Sequence, residues 1–221
     1  MPPYSSNYQS ISARLLEDFL PDANLSKSVW RNSKRVVLAD TFHPSIEHPA
    51  ASTEASALWS SHYLYVAFWC HYSDLNTYKG EDPQLKRWEL WDRDVAEVFV
   101  NPFPETMHRY WEFEVAPNNQ WVDLAIQNRG EENISVSAEW NSGFTHATSI
   151  DETARIWTCE MRIPVASMGV SQIHPGDEWR INFYRCDGLG DNSQRRFLAW
   201  SPTLKLNFHV PERFGLIRMG D

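Results

Sequence analysis

The chain repeatedly interleaves apolar and polar residues with a period of two. Trp111, Phe113 and Val115 alternate with Glu112 and Glu114, Cys159, Met161 and Ile163 with Glu160 and Arg162, and Trp179, Ile181 and Phe183 with Arg180, Asn182 and Tyr184. Successive side chains of a strand point to opposite faces, so this period describes β-strands with one apolar face. Further strand-like runs span 64–70, nearly continuous in apolar residues as in a strand covered on both sides, and 95–100, 121–126 and 197–200, with no long helical pattern between them. Parallel βαβ units are therefore disfavoured, and the expected fold is all-β: a two-sheet antiparallel β-sandwich of jelly-roll or immunoglobulin-like type. The 11 Trp, 11 Phe and 8 Tyr agree, because aromatic side chains suit pleated surfaces. On this parity, one face of the sheet is a core and the other is strongly polar.

One strand departs from the pattern. In the run 95–100, Ala96, Val98 and Val100 share a face, while Glu97 shares the other with Val95 and Phe99. A carboxylate among apolar neighbours is either a paired structural charge or a fixed hydrogen-bond acceptor for a ligand.

Near the N-terminus, Ile11, Leu15, Leu16 and Phe19 have helical spacing, ended by Pro21. Residues 1–29 read as a short helical or irregular extension packed on a single domain of residues 30–221. No repeat or low-complexity linker divides that domain. The chain as written opens without a basic, apolar leader, so it reads as cytoplasmic, or as extracellular or periplasmic if a leader has been removed from a precursor. No run approaches the ~20 apolar residues of a membrane helix, and no membrane partner is expected. Oligomeric state has no signal in the sequence.

Several functions are excluded by what binding or catalysis requires. Twenty Lys and Arg against 29 Asp and Glu leave a formal charge of -9, the wrong sign for a nucleic-acid partner. Glycine-rich phosphate loops and the GxSxG elbow are absent, so neither a nucleotide cofactor nor serine acyl transfer is expected. Cys70, Cys159 and Cys186 have no CxxC spacing, and the eight histidines form no HExxH motif, so a zinc site is not read. Haem is not expected either: Met107 and His108 are adjacent, and adjacent strand residues face opposite sides.

Two features remain. Oxygen-rich loops around Asp74 and Asn76, Glu81 and Asp82, Asp92 and Asp94, and Asp187 to Asn192 offer hard ligands. Calcium is therefore a possible cofactor, with Asp74, Asp92, Asp94 and Asp187 as its candidates. Turn chemistry places the same residue types in loops. Trp88 and Trp91 lie in a charged segment where burial of both rings is hard to arrange, and exposed indoles stack on the C–H faces of sugar rings. A sugar-active hydrolase would instead draw on Glu97, Glu112 or Glu114. However, Glu112 and Glu114 are neighbours on one strand face, about 6–7 Å apart and parallel, and do not flank a bond.

Six segments in order carry a resemblance: Ala57-Leu58-Trp59 before Leu64–Phe68, Leu90-Trp91-Asp92-Arg93-Asp94 running into Val95–Pro102, Tyr110–Val115, Trp157–Pro164, Gly176–Asn182, and Trp200 through Pro211–Gly215. Together they resemble the family 9 carbohydrate-binding modules of the wider DOMON-like group. The resemblance implies a non-catalytic sandwich that holds glucan or xylan chain ends, or small sugars, between two aromatic rings, and often a structural calcium. It places the stacking ring at Trp91, a hydroxyl acceptor at Glu97 and a polar group of the next strand at Glu114. For the second ring it leaves Trp200 and Phe208, with Asn207, as competing placements.

Overall fold

The computed structural model describes residues 9–80, 82–130, 133–189 and 195–220. In chain order the strands are β1 (Ser10–Leu15), β2 (Val36–Val37), β3 (Ala39–Asp40), β4 (Thr53–Trp59), β5 (Tyr63–His71), β6 (Val95–Asn101) and β7 (Arg109–Val115). They continue with β8 (Trp121–Asn128), β9 (Ile134–Ser137), β10 (Thr145–Asp151), β11 (Ile156–Pro164), β12 (Glu178–Asp187), β13 (Arg196–Ala199) and β14 (Gly215–Met219). A single α-helical turn, α1 (Ser28–Arg31), precedes β2.

Two sheets result. The first runs β10-β11-β5-β4, with β2 beside β4, and the second runs β14-β12-β6-β7-β8-β9. At the edge of β12 opposite β6, β14 pairs with the start of the strand and β13 with its end, and β3 extends β13. All these pairings are antiparallel. The core lies between the sheets: Val66, Phe68, Cys159 and Met161 of the first meet Val98, Phe113, Ile181 and Phe183 of the second. The rings of Phe68 and Phe183 pack edge to face at 6.0 Å. The period-two reading is thus realised, with Trp111, Phe113, Val115, Cys159, Met161, Ile163, Trp179, Ile181 and Phe183 turned inward.

The N-terminal segment differs from the helix its spacing predicts. Residues 10–15 form β1, which pairs in parallel with β14 through Ser10–Ala13 and with β4 through Arg14 and Leu15, linking the two sheets. Ile11 and Ala13 are buried while Ser10, Ser12 and Arg14 face out, a period of two. With two sheet edges offering unpaired backbone groups, ladder hydrogen bonds outweigh a two-turn apolar stripe. Pairing is therefore parallel at this one strand.

The expected polar faces are also not solvated. Glu97, Glu112, Glu114, Glu160, Arg180 and Asn182 are all buried. On the first sheet, Glu160 anchors the segment after β1. It accepts the backbone N–H of Asp22 (2.8 Å) and Ala23 (2.9 Å), the indole N–H of Trp30 (2.6 Å) and the ammonium of Lys27 (3.0 Å). On the second sheet, a separate apolar layer covers the outward face, built from Phe99, Tyr110, Val122, Leu124, Tyr184 and their neighbours.

Candidate functional site

The register of the second sheet sets out the site. Glu97 on β6 lies opposite Glu114 on β7 and Tyr184 on β12, while Phe99 lies opposite Glu112 and Asn182. Residues at these positions share the outward face. Two irregular segments wall it: the 3-10 turn Leu90–Asp92 before β6, and the stretch from Leu206 to His209 before β14. Between them is a cleft of about 400 Å3, with Trp88, Trp91, Phe197 and Phe208 among its walls and Glu97, Glu112 and Cys186 beneath.

The turn that carries Trp91 is held from several directions. Glu89 adopts the left-handed region, φ 61°, and turns the chain into Leu90–Asp92, where the Leu90 side chain is fully buried. The Arg195 guanidinium donates to the Trp91 carbonyl at 2.5 Å. Asp94 accepts the amides of Asn76 (2.7 Å) and Gly188 (2.6 Å), fastening two neighbouring loops to the start of β6. The Trp88 and Trp91 rings meet edge to face, with centroids 5.0 Å apart. On the other wall, Phe208 lies flat on Tyr184 at 4.1 Å, and the Tyr184 hydroxyl donates to the Phe208 carbonyl. Asn207 holds the turn by accepting the amide of His209 at 2.9 Å.

At the floor, Glu97, Glu112 and Glu114 each present a carboxylate oxygen within 4.8 Å of the others. Both oxygens of Glu114 and one of Glu112 have no donor outside the acidic cluster, and the Cys186 thiol donates to Glu97 at 3.2 Å. Loss of water at this depth, reinforced by the neighbouring Glu112 carboxylate, pushes Glu97 up to about 8. Glu114 is driven well above the usual carboxylate range by burial and by the charges of Glu97 and Glu112. Glu97 therefore holds a proton at neutral pH, and its carboxyl can donate as well as accept a hydrogen bond.

The structure thus brings Trp91, Glu97, Asn207 and Phe208 to one cleft, with Glu114 next to Glu97 but outside its lining. It does not bring Trp200. That ring is buried between the sheets, 5.5 Å from Phe183, because it directly follows β13 on the inward-facing parity. A Cβ on Gly215 would lie 2.5 Å from it, so the glycine is what admits the ring. The second aromatic wall is accordingly Phe208 and not Trp200.

Glu112, Arg195, Phe197 and Leu206 line the cleft without having been singled out for sugar contact. Glu112 was readable, since parity sets it two residues from Glu114 on the same face. Arg195 lies outside any strand and has no periodic signal.

The calcium candidates do not assemble into a cation site. Asp187 is bound by Arg185 (2.5 Å) and Arg196 (2.7 Å), Asp94 directs its two oxygens at backbone amides, Asp74 is exposed, and Asp92 lies on the rim of the cleft. Calcium takes six to eight oxygen ligands; Asp94 and Asp187 already commit theirs to amides and guanidinium groups, and among the described residues none of the four candidates belongs to a group of three or more acids close enough to share an ion. Glu81 and Gly190–Asn192 lie outside the described residues. Cys70, Cys159 and Cys186 are free and buried, and no helix among the described residues is long and apolar enough to cross a membrane.

Comparison with known proteins agrees with this architecture. A candidate carbohydrate-binding protein of Bacteroides uniformis superposes with a TM-score of 0.76 at 18% identity, covering 96% of this chain and 99% of that one. A family 9 carbohydrate-binding module of Caldicellulosiruptor kristjanssonii superposes at 0.67 in its cellotriose complex and 0.66 in its glucose complex. Identities there are 16% and 17%, with 96% of this chain covered in both and 94% and 97% of the other. In sequence, an extracellular protein of Arthroderma benhamiae is 28% identical over 135 residues, 57% of this chain and 60% of that protein's length. The profile described as carbohydrate family 9 binding domain-like matches residues 22–221, and the chain belongs to that family.

Proposed function

We propose that the chain binds glucan or xylan chain ends, or small sugars, in the cleft between Trp91 and Phe208. The observation that carries this reading is the pairing of aromatic walls with a carboxyl floor in one cleft of about 400 Å3. A pyranose offers apolar C–H faces and an equatorial belt of hydroxyls. Stacking on Trp91 removes the faces from water, and Glu97 and Glu112 hydrogen-bond the belt. Phe208, with one face against Tyr184, is the opposing wall. The C. kristjanssonii module bound to cellotriose and to glucose shares the fold, which supports this class of ligand. The relative named as an extracellular protein of A. benhamiae supports a ligand met outside the cell.

Catalysis is not part of this reading, since the family is a non-catalytic binding module. The site has a physical reason to agree. Glycosidase carboxyls flank the scissile bond, about 5–9.5 Å apart. Here all three crowd within 4.8 Å at one floor.

The test is calorimetric titration with glucose, cellobiose and xylobiose, following Trp fluorescence in parallel. Binding that weakens at least about tenfold in both Trp91→Ala and Phe208→Ala, in variants that still unfold cooperatively, is expected. Unchanged affinity in both variants overturns the assignment.

A further inference from the structure

A neutral sugar does not explain why three carboxyls share one dry floor. Hydroxyls both donate and accept, so a neutral ligand is best met by a mixture of donors and acceptors. The three side chains of this floor are all acids, with no amide or base among them. Three oxygens of Glu112 and Glu114 are buried with no donor outside the acidic cluster, both residues being at most 3% exposed. No ion pair among the described residues joins Glu97, Glu112 or Glu114 to a cation. Arg195 at the cleft wall gives its guanidinium to the carbonyls of Trp91 and Arg93. Asp92 adds a further acid at the rim.

An acidic floor beneath electron-rich rings is complementary to an organic cation. Carboxylates neutralise an ammonium and accept hydrogen bonds from its three N–H groups, while indole and phenyl faces attract the same charge. We propose that the cleft selects a sugar bearing a protonated amine, an amino sugar or the amino-sugar end of a glycan, with the ammonium on Glu97 and Glu112 and the charge of Glu114 close behind them. This deepens the carbohydrate-binding reading and rests on it.

Binding of this kind moves protons in a defined direction. Before the cation arrives, Glu97 and Glu114 are held toward their protonated forms because like charges repel out of water; the Tyr110 and Tyr184 hydroxyls, the Cys186 thiol, His209, Arg195 and Asp92 are the further titratable or charged groups around them. An arriving ammonium favours the ionised carboxylates, so a proton leaves for the buffer as the cation enters. Glucose brings no charge and displaces none.

The experiment compares glucosamine, glucose and N-acetylglucosamine by titration calorimetry at about pH 6, where the amine is fully protonated, in two buffers of different ionisation enthalpy. Glucosamine is expected to bind about tenfold or more tighter than the two neutral sugars, with buffer-dependent heat showing proton release. Glu112→Gln, which keeps shape and removes charge, should bring the glucosamine-to-glucose affinity ratio, both measured on the same variant, down to about one. Equal affinity for all three sugars, or weaker binding of glucosamine, overturns the inference and leaves the carbohydrate reading standing. Binding of none overturns both. Binding of calcium chloride that blocks glucosamine without any glucosamine preference over glucose assigns the floor to a metal and also overturns it.

Discussion

Raising the pH from about 6.5 to 8 should destabilise the protein, and the cause lies at the floor of the cleft. In the unfolded chain Glu97 gives up its proton near the ordinary value of 4.5, whereas in the fold it is held up to about 8. Its contribution is fully present below about 4.5 and is lost as pH rises toward 8, because the unfolded state binds fewer protons across that window. The buried His146, pushed down to about 4, acts in the opposite direction but only below its ordinary 6.5, so the range above is free of it. There the slope for one group is about 1.4 kcal/mol per pH unit. Glu97 alone therefore accounts for about 2 kcal/mol between pH 6.5 and 8, and Glu114, also raised, adds in the same sense. For a chain of this size that loss lowers the midpoint of thermal unfolding by about 4–8 °C. Urea unfolding at three pH values, on the wild type and on Glu97→Gln, measures it. The variant should lose roughly 1 kcal/mol per pH unit of the slope. A flat wild-type profile, or identical slopes in the two proteins, refutes the reasoning.

Three further outcomes follow from the packing. Trp91→Ala should cost less than about 1.5 kcal/mol in stability, because the ring is only half-buried, while removing the sugar-dependent fluorescence change; urea midpoints and titrations separate the two effects. Glu160→Ala should lose about 3–5 kcal/mol, since it strands two backbone amides, the Trp30 indole N–H and the Lys27 ammonium, with amide exchange rising first in residues 22–31. Gly215→Ala should lose about 1–3 kcal/mol by driving a methyl into the Trp200 ring, without changing sugar affinity in the folded fraction.

The inward faces were legible because a strand reports its orientation at every second residue, and a buried face tolerates no slip of register. That rule placed Trp111, Phe113, Ile181 and Phe183 in the core, and set Glu97 beside Phe99 on the outer face. Parity is silent on what lies above a face. It could not tell that an apolar layer and two loops dry the outer side of the second sheet, turning a polar stripe into buried, proton-holding carboxyls. Nor does it operate outside strands. The choice between Trp200 and Phe208 depended on where the chain leaves β13, and β1 depended on two distant edges needing a partner. Arg195 reaches Trp91 across 104 residues, a contact that no local pattern records.

The most direct test of the central claim is a crystal structure of the protein soaked with cellobiose and, separately, with glucosamine. The account predicts a pyranose in the cleft with a C–H face against Trp91 and a polar substituent within hydrogen-bond distance of Glu97 or Glu112. A sugar bound on another surface, with the cleft between Trp91 and Phe208 left to solvent, contradicts it.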